Sequence, residues 1–421
     1  KSLADGIIRY AREVAQEEGW KPFVVADVSS PGALDAAQVL NFPFAIFSSW
    51  PVGPTLHSIG DKSVFQQSWL PSELYVLTQS MGANSFSERA SRAIVNLGVP
   101  VALEFVGFHK PRRELRASLG LPAKPALELM EPPRLKNGDH PLVLLSTHWG
   151  LDRARPIPPY LSLVGPTENY GEALKAKAEL RPALQAWVEK QDSIVYISLG
   201  TNVRPSKKQI DSFLDAMRAL PEVGFLWDVR EGMHESLENI PSNVRTEEWA
   251  PQLQILSSPK TKIFVSHCGL NSLHEALHFG IPVVALPYIA DQLVSARIVE
   301  EMGVGVRLNP SKLTAEGLEE AIRTVLGDEG YRSNAQRVGR LGRQAGGSQL
   351  AASLLEVAIH EGVSHLQMPQ KDTAAGRVWD VYLVGIVLLV AFLVALKIAF
   401  CPQLPRRGEE DAATAKSNKK D

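Results

Sequence analysis

The chain has 421 residues, 45% of them hydrophobic and 21% charged, the make-up of a folded protein with room for two domains, each burying its own core. A formal net charge of -2 argues against a general nucleic-acid binder, which carries a basic surplus. With Cys268 and Cys401 as its two cysteines, the chain has no disulfide framework and too few thiolates for a structural zinc site.

In chain order, KSLADGIIRYAREVAQEEGW opens without an initiator Met or a signal-peptide pattern. Leu3, Ile7, Ile8, Tyr10 and Val14 recur at helical spacing. This reads as an opening inside a domain, and the chain as a fragment. KPFVVADVSSPG predicts a strand ending at Asp27, DAAQVLNF a helix and PFAIFSS a second strand. Residues 61 to about 137 are less regular, with helical stretches such as ERASRAIVNLG, and PLVLLSTHWG (141–150) is again strand-like. RPIPPYLSLVGP (155–166) holds four prolines and a glycine and reads as an interdomain connection. Beyond it, strands are expected at 192–201, 223–230, 262–269 and 282–288, alternating with helices near 207–220, 251–258, 271–279 and 291–302. That alternation predicts two doubly wound α/β domains. The expected boundaries are 1–154 for a partial N-terminal domain, 155–190 for the connection, 191–365 for the second domain and 366–380 for a polar linker.

From Val381 to Phe400 the chain reads VYLVGIVLLVAFLVALKIAF, about the 20 apolar residues that cross a bilayer as a helix. Trp379 and Tyr382 suit an aromatic belt, and Lys397 can snorkel to the headgroups. The tail, 401–421, carries Arg406, Arg407, Lys416, Lys419 and Lys420, which places it in the cytosol and the large domains on the opposite side. Lys419 stands third from the end, as in dilysine retrieval tails, although Lys420 replaces the usual partner position. The expectation is a single-pass protein of the endoplasmic reticulum with luminal domains.

The richest stretch is VSHCGLNSLHEALHFGIPVVALPYIADQ, 265–292. A strand feeding a helix near Asn271 presents unpaired amides to a phosphate, Gly269 permits close approach and Ser272 adds a hydroxyl. His267 can donate to a phosphate oxygen. Glu275, on the face of Asn271 and Ser272, can accept from both hydroxyls of a ribose. Asp291 and Gln292 form an acid–amide pair suited to sugar hydroxyls. Upstream, Trp249 can stack on a base whose edge the backbone at Ala250 reads, with Gln252 beside it. Ser198 and Thr201 of SLGT sit at the mouth of a phosphate crevice. Base, ribose, phosphate and sugar together make a nucleotide sugar. Single residues have blander readings: Asp27 as a turn or cap residue, His267 as a core histidine, Glu275 as a solvated carboxylate. His274 and His278 have metal-ligand spacing but no third ligand in the pattern, so no metal site is expected.

W-A-P-Q, H-C-G-x-N-S-x-x-E, G-[IV]-P and P-x-x-x-D-Q resemble the signature of UDP-glycosyltransferases, and weaker similarity extends over most of 20–345. The resemblance implies a GT-B architecture of two Rossmann-like domains facing a cleft, here with a C-terminal transmembrane helix. It implies inverting, metal-independent transfer of glucose or glucuronic acid from a UDP-sugar to a hydroxyl of a lipophilic acceptor, with no cofactor besides the donor. It assigns Trp249 to the uracil, Gln252 to the ribose region, and His267, Asn271 and Ser272 to the diphosphate. Glu275 falls to the ribose, and Asp291 and Gln292 to the sugar. Leu270 stands where plant members usually carry Trp. Asp27 matches an Asp that orients a general-base His, but no histidine stands in that His's Gly-His context. The expectation is therefore that this His lies upstream of Lys1 and that the chain alone is not competent. A catalytically silent UDP-sugar-binding partner protein is the alternative; an epimerase of similar fold is a third reading.

Overall fold

The computed structural model describes residues 22–28, 30–52, 55, 110–122, 134–154, 157–176, 180–230, 232–233, 237–289 and 291–367. The first unit contains β1 (Val24–Asp27), α1 (Pro31–Leu40), β2 (Phe44–Ser48), α2 (Lys110–Ser118), β3 (Leu142–Leu145) and β4 (Leu161–Leu163). Its strands form a parallel sheet in the order β1-β2-β3-β4. Apolar runs such as LVLL are continuous because both faces are covered. Ala26, Ile46, Val143 and Leu145 pack with Leu34 and Ala37 of α1, while Ala45, Leu142 and Leu144 meet Ala351 and Ala358 of a helix from the end of the chain. α1 starts with Pro31 in its first turn, where a proline suits the backbone, and ends at Asn41 in the left-handed conformation, φ 55°. Asp35 on α1 is fully buried and pairs with Arg116 and Arg112 of α2.

β4 lies inside 155–166, the stretch whose prolines suggest a plain connection. Pro156, Pro158 and Pro159 precede it, so the three strand residues keep their amides for pairing with β3.

After α3 (Tyr170–Ala176) and α4 (Pro182–Lys190) the second unit begins. It contains β5 (Ile194–Ser198), α5 (Lys207–Arg218), β6 (Gly224–Asp228), β7 (Val244–Glu247), α6 (Gln252–Ser257), β8 (Thr261–Ser266) and α7 (Leu270–His278). β9 (Val283–Ala285), α8 (Gln292–Glu301), β10 (Gly305–Arg307), α9 (Ala315–Gly327), α10 (Glu329–Gln344) and α11 (Gly347–His360) complete it. The expected strands and helices between 192 and 302 are all present, with β8 and α7 starting one residue early and the others trimmed at their ends. β7 and β10 escape sequence reading because VRTE and GVR are too short and polar to show alternation.

All six strands are parallel, in the order β10-β9-β8-β5-β6-β7. Numbered from β5, this is the doubly wound order 3-2-1-4-5-6, which reverses direction between β5 and β8. α5 illustrates the local logic: Ser206 and Gln209 form a capping box, and Ile210, Phe213, Leu214 and Met217 make its buried stripe. α10 crosses α7 at Gly339, where a Cβ would lie 1.9 Å from the Leu277 carbonyl oxygen, so only glycine permits this approach.

The units are joined by more than the connection. The His274 ring on α7 donates from Nε2 to the Ser146 carbonyl at 2.6 Å, just past the carboxyl end of β3. Arg153 pairs with Glu301 of α8 at 2.7 Å. α11 returns to the first sheet, where Gln367 exchanges hydrogen bonds with the backbone of His140. The carboxyl edge of the first sheet therefore abuts α7. Among the described residues no helix is long and apolar enough to cross a membrane; residues 381–400 lie outside them.

Candidate functional site

In an open α/β sheet the ligand crevice forms beyond the carboxyl ends of the strands where the order reverses, because the two flanking connections leave to opposite faces. Here those ends are Ser198 and Ser266, paired in register. They deliver the loops 199–203 and 267–269, which hold Thr201, His267 and Gly269 and lead into the helix that carries Asn271, Ser272 and Glu275.

His267 sits in a slot made by two glycines. A Cβ on Gly200 would lie 2.7 Å from its Cε1 and Nε2, and one on Gly269 would lie 2.7 Å from its Nε2. Gly200 is also in the left-handed region, φ +71°. Burial lowers the pKa of His267, opposed by the nearby Ser198 carbonyl. That carbonyl does not reach hydrogen-bond geometry, so Nδ1 remains without a partner among the described residues. A ring N–H of this imidazole can donate to an acceptor that enters the slot.

Cys268 turns the chain from strand to helix with φ +63°, its amide held by the Ser266 hydroxyl at 3.1 Å. Its thiol is buried, which pushes its pKa far up and makes it inert. α7 then starts at Leu270 with Gly269 as its cap and no side chain capping its first amides. Those amides and the helix dipole favour an anion. Asn271 is exposed at this opening, with Ser272 beside it.

One turn on, Gln252 at the start of α6 donates from Nε2 to Glu275 Oε2 at 2.6 Å and to Ser272 Oγ at 3.2 Å. Tyr196 donates its phenolic hydrogen to Gln252 Oε1 at 3.3 Å. The amide of Gln252 is thus oriented by a buried tyrosine, and it in turn aims the carboxylate of Glu275. Tyr196 escaped sequence reading, although strand period 2 places it on the same face as Ser198.

Trp249 is 64% exposed while its neighbour Ala250 is 5% exposed, so the indole stands free above a buried backbone. A large aromatic held in water at the edge of a crevice suits stacking on a planar ligand. Gln292 is buried, and its Oε1 accepts from the amides of Tyr288 and Ile289 at 2.9 and 3.0 Å. This fixes the loop after β9 and leaves the Gln292 NH2 as a donor. Asp291, beside it at the start of α8, has its pKa raised by burial. Thr201 is exposed on the 199–203 loop.

Ser198 is placed differently from its sequence expectation. It is 4% exposed and donates to Asp228 Oδ2 on the neighbouring strand at 3.0 Å. Arg230 braces the same spot, donating to the Gly200 carbonyl at 3.3 Å. Ser198 therefore shapes the loop from within the sheet. Asp27 ends β1 at the carboxyl edge of the first sheet, its carbonyl accepting the Ser30 amide at 2.8 Å. Of the histidines in the described part of the first unit, His140 stacks on Tyr160 and His148 lies beside His274. His57 and His109 fall outside the described residues. Among the described residues no cluster of His, Cys, Asp and Glu has metal-binding geometry.

Two parallel α/β sheets, the second with an uncapped helix start at its switch point, make a GT-B fold, and solved structures share it. The glycotransferase of kitacinnamycin matches with a TM-score of 0.61 at 20% identity, over 84% of this chain and 79% of that one. Os79 from O. sativa, solved in complex with UDP, matches with a TM-score of 0.57 at 22% identity, over 85% and 80%. The family model of UDP-glucoronosyl and UDP-glucosyl transferases matches residues 14–405, and the chain belongs to that family. It is a UDP-sugar-dependent glycosyltransferase by that membership. Among its relatives, UDP-glucuronosyltransferase 2A3 of Homo sapiens is 26% identical over 381 residues, 89% of this chain and 68% of that protein.

Proposed function

We propose that the protein transfers a hexosyl group, glucose or glucuronic acid, from its UDP-sugar to a hydroxyl of a lipophilic small molecule, with inversion and without a metal. The observation that carries this reading is the junction of His267, the uncapped start of α7 and the Gln252–Glu275 pair at the switch point. In this reading Trp249 stacks on uracil and the backbone at Ala250 meets its edge. Glu275 accepts from the ribose hydroxyls, while Asn271, Ser272, Gly269 and Thr201 line the diphosphate. Gln292 and Asp291 hold the sugar hydroxyls. As the anomeric bond breaks, negative charge grows on the β-phosphate, where His267 and the α7 amides lower the barrier without reorganising. The same groups supply the charge stabilisation that a divalent cation gives elsewhere, which supports the metal-free reading.

The acceptor oxygen attacks from the face opposite UDP, and a general base removes its proton. We assign Asp27 to orient that base. Residues 381–400 are taken as the anchor, with the tail in the cytosol and the domains in the lumen of the endoplasmic reticulum. The apolar acceptor follows from that anchor, because apolar molecules concentrate in the bilayer.

The test is UDP release from UDP-glucose, UDP-glucuronate and UDP-galactose, with a panel of apolar phenols and excess chelator. Release with one of the first two donors, unaffected by chelator, is expected. Binding of UDP without release for any acceptor would favour the silent binding protein.

A further inference from the structure

A cavity of about 310 Å³ lies where the segment 166–171 between the two units meets α7, α10 and the start of α11. It opens on the flank of α7 that carries His274 and His278, and none of the residues assigned to the UDP-sugar lines it. Its volume sits at the low end of small-ligand sites.

The two poles of this cavity differ in hydrogen-bonding sense. At one pole are two imidazoles, His148 and His274, 4% and 3% exposed. His274 uses Nε2–H on the Ser146 carbonyl, so its Nδ1 is left in the acceptor form. His148 turns Nδ1–H to the Trp149 carbonyl at 3.3 Å, so its Nε2 is an acceptor too. Burial lowers the pKa of both, that of His274 to about 3. The wall opposite His148 Nε2 is Gly342, where even a Cβ would come to 3.0 Å.

The other pole is made of donors and positive charge. Arg343 is fastened by Nη1 to the His278 carbonyl at 2.8 Å. Beside it α11 begins at Gly346 and Gly347, which offer no capping side chain. The Gly347 amide is taken by the Val164 carbonyl at 2.6 Å, and Ser348 and Gln349 follow on the cavity wall with the first-turn amides of a 14-residue helix. Glu168 also lines the cavity but is engaged by the protein.

Acceptors at one end and a guanidinium with helix amides at the other ask for a ligand that has hydroxyl hydrogens on one side and an anionic group on the other. We propose that this cavity between the two units is a second ligand site, taking a small hydroxylated anion of the sugar-phosphate or sugar-acid class. Its ligand touches both units at once, through His148 and through α7.

The experiment is calorimetric titration of chain 1–421 with glucose 6-phosphate, D-glucuronate and glucose, each in the presence of excess UDP so that occupancy of the switch-point crevice is held constant. One of the two anions should bind at a single site, and which one does separates phosphate from carboxylate; glucose alone should not bind. Arg343→Ala should weaken the bound anion at least about tenfold, as loss of a charge-assisted bond does. Gly171→Leu should do the same by filling space, since a Cβ there meets only Asn169 Oδ1 at 3.6 Å and the backbone is unstrained. Both variants should melt as the wild type does and keep its UDP affinity. No binding of either anion, equal binding of glucose, or wild-type affinity in a well-folded Arg343→Ala protein would each overturn the proposal.

Discussion

Gly200→Ala isolates what the glycine slot does for His267. The new methyl would sit 2.7 Å from two ring atoms of the imidazole, and the backbone there has φ +71°. Carbon–carbon contacts relax to about 3.5–4.0 Å, so the ring must move by roughly 1 Å. The left-handed backbone adds about 1–2 kcal/mol of strain, which lowers stability in any background. A displaced imidazole would lose the bond proposed for it with the charged diphosphate, worth about 1.5–3 kcal/mol. That loss is about 10- to 150-fold in Kd. The assay is UDP calorimetry on Gly200→Ala, His267→Ala and the double variant. If the methyl acts by moving the ring, it has nothing to move once the ring is gone. The double variant should then bind UDP like His267→Ala alone, with a coupling close to the full single-variant loss. Equal weakening of UDP binding by Gly200→Ala in both backgrounds would show that the methyl does not act through the His267 ring.

Trp249→Ala should leave the melting temperature unchanged, because the indole is mostly in water, while weakening UDP binding by about 1–3 kcal/mol through lost stacking; parallel melting and calorimetry check this. Asp35→Ala should cost about 3–5 kcal/mol in urea unfolding, because it strands the buried Arg116 guanidinium without its partner. His274 is held neutral by burial with a folded pKa near about 3, below its unfolded 6.5. The unfolded chain therefore binds the extra proton first, so stability is intact above pH 6.5 and falls as pH drops towards 3. The slope from this one group is at most about 1.4 kcal/mol per pH unit. His148 shifts in the same direction. Unfolding curves at several pH values, with His274→Gln as the comparison, should show the slope shrink in the variant.

The second unit was the more legible half, because parallel strands buried on both faces read as uninterrupted apolar runs such as IVYIS and KIFVS. Helix α7 announced itself through the glycine before it and the polar residues of its first turn. β4 did not, since its prolines all fall before the three residues that pair. Side-chain partners were less legible than positions. Ser198 carries a hydroxyl at the right strand end, yet strand pairing brings Asp228 beside it and turns that hydroxyl inward. Tyr196 looks like core in sequence and is core in the structure, except that its hydroxyl reaches Gln252. Gly200 reads as loop punctuation until His267 is seen against it. Each of these depends on which strands become neighbours, a property of topology that single-strand patterns do not carry.

In the proposed function the switch-point crevice holds UDP by its ribose and diphosphate. Calorimetric titration of chain 1–421 and its Glu275→Gln variant with UDP and 2′-deoxy-UDP tests it most directly. The wild type should prefer UDP by about tenfold, the worth of one hydrogen bond to a carboxylate. Glu275→Gln should lose most of that preference while still binding the diphosphate. Equal affinity of the wild type for both nucleotides, or an undiminished preference in Glu275→Gln, would contradict that reading of the crevice.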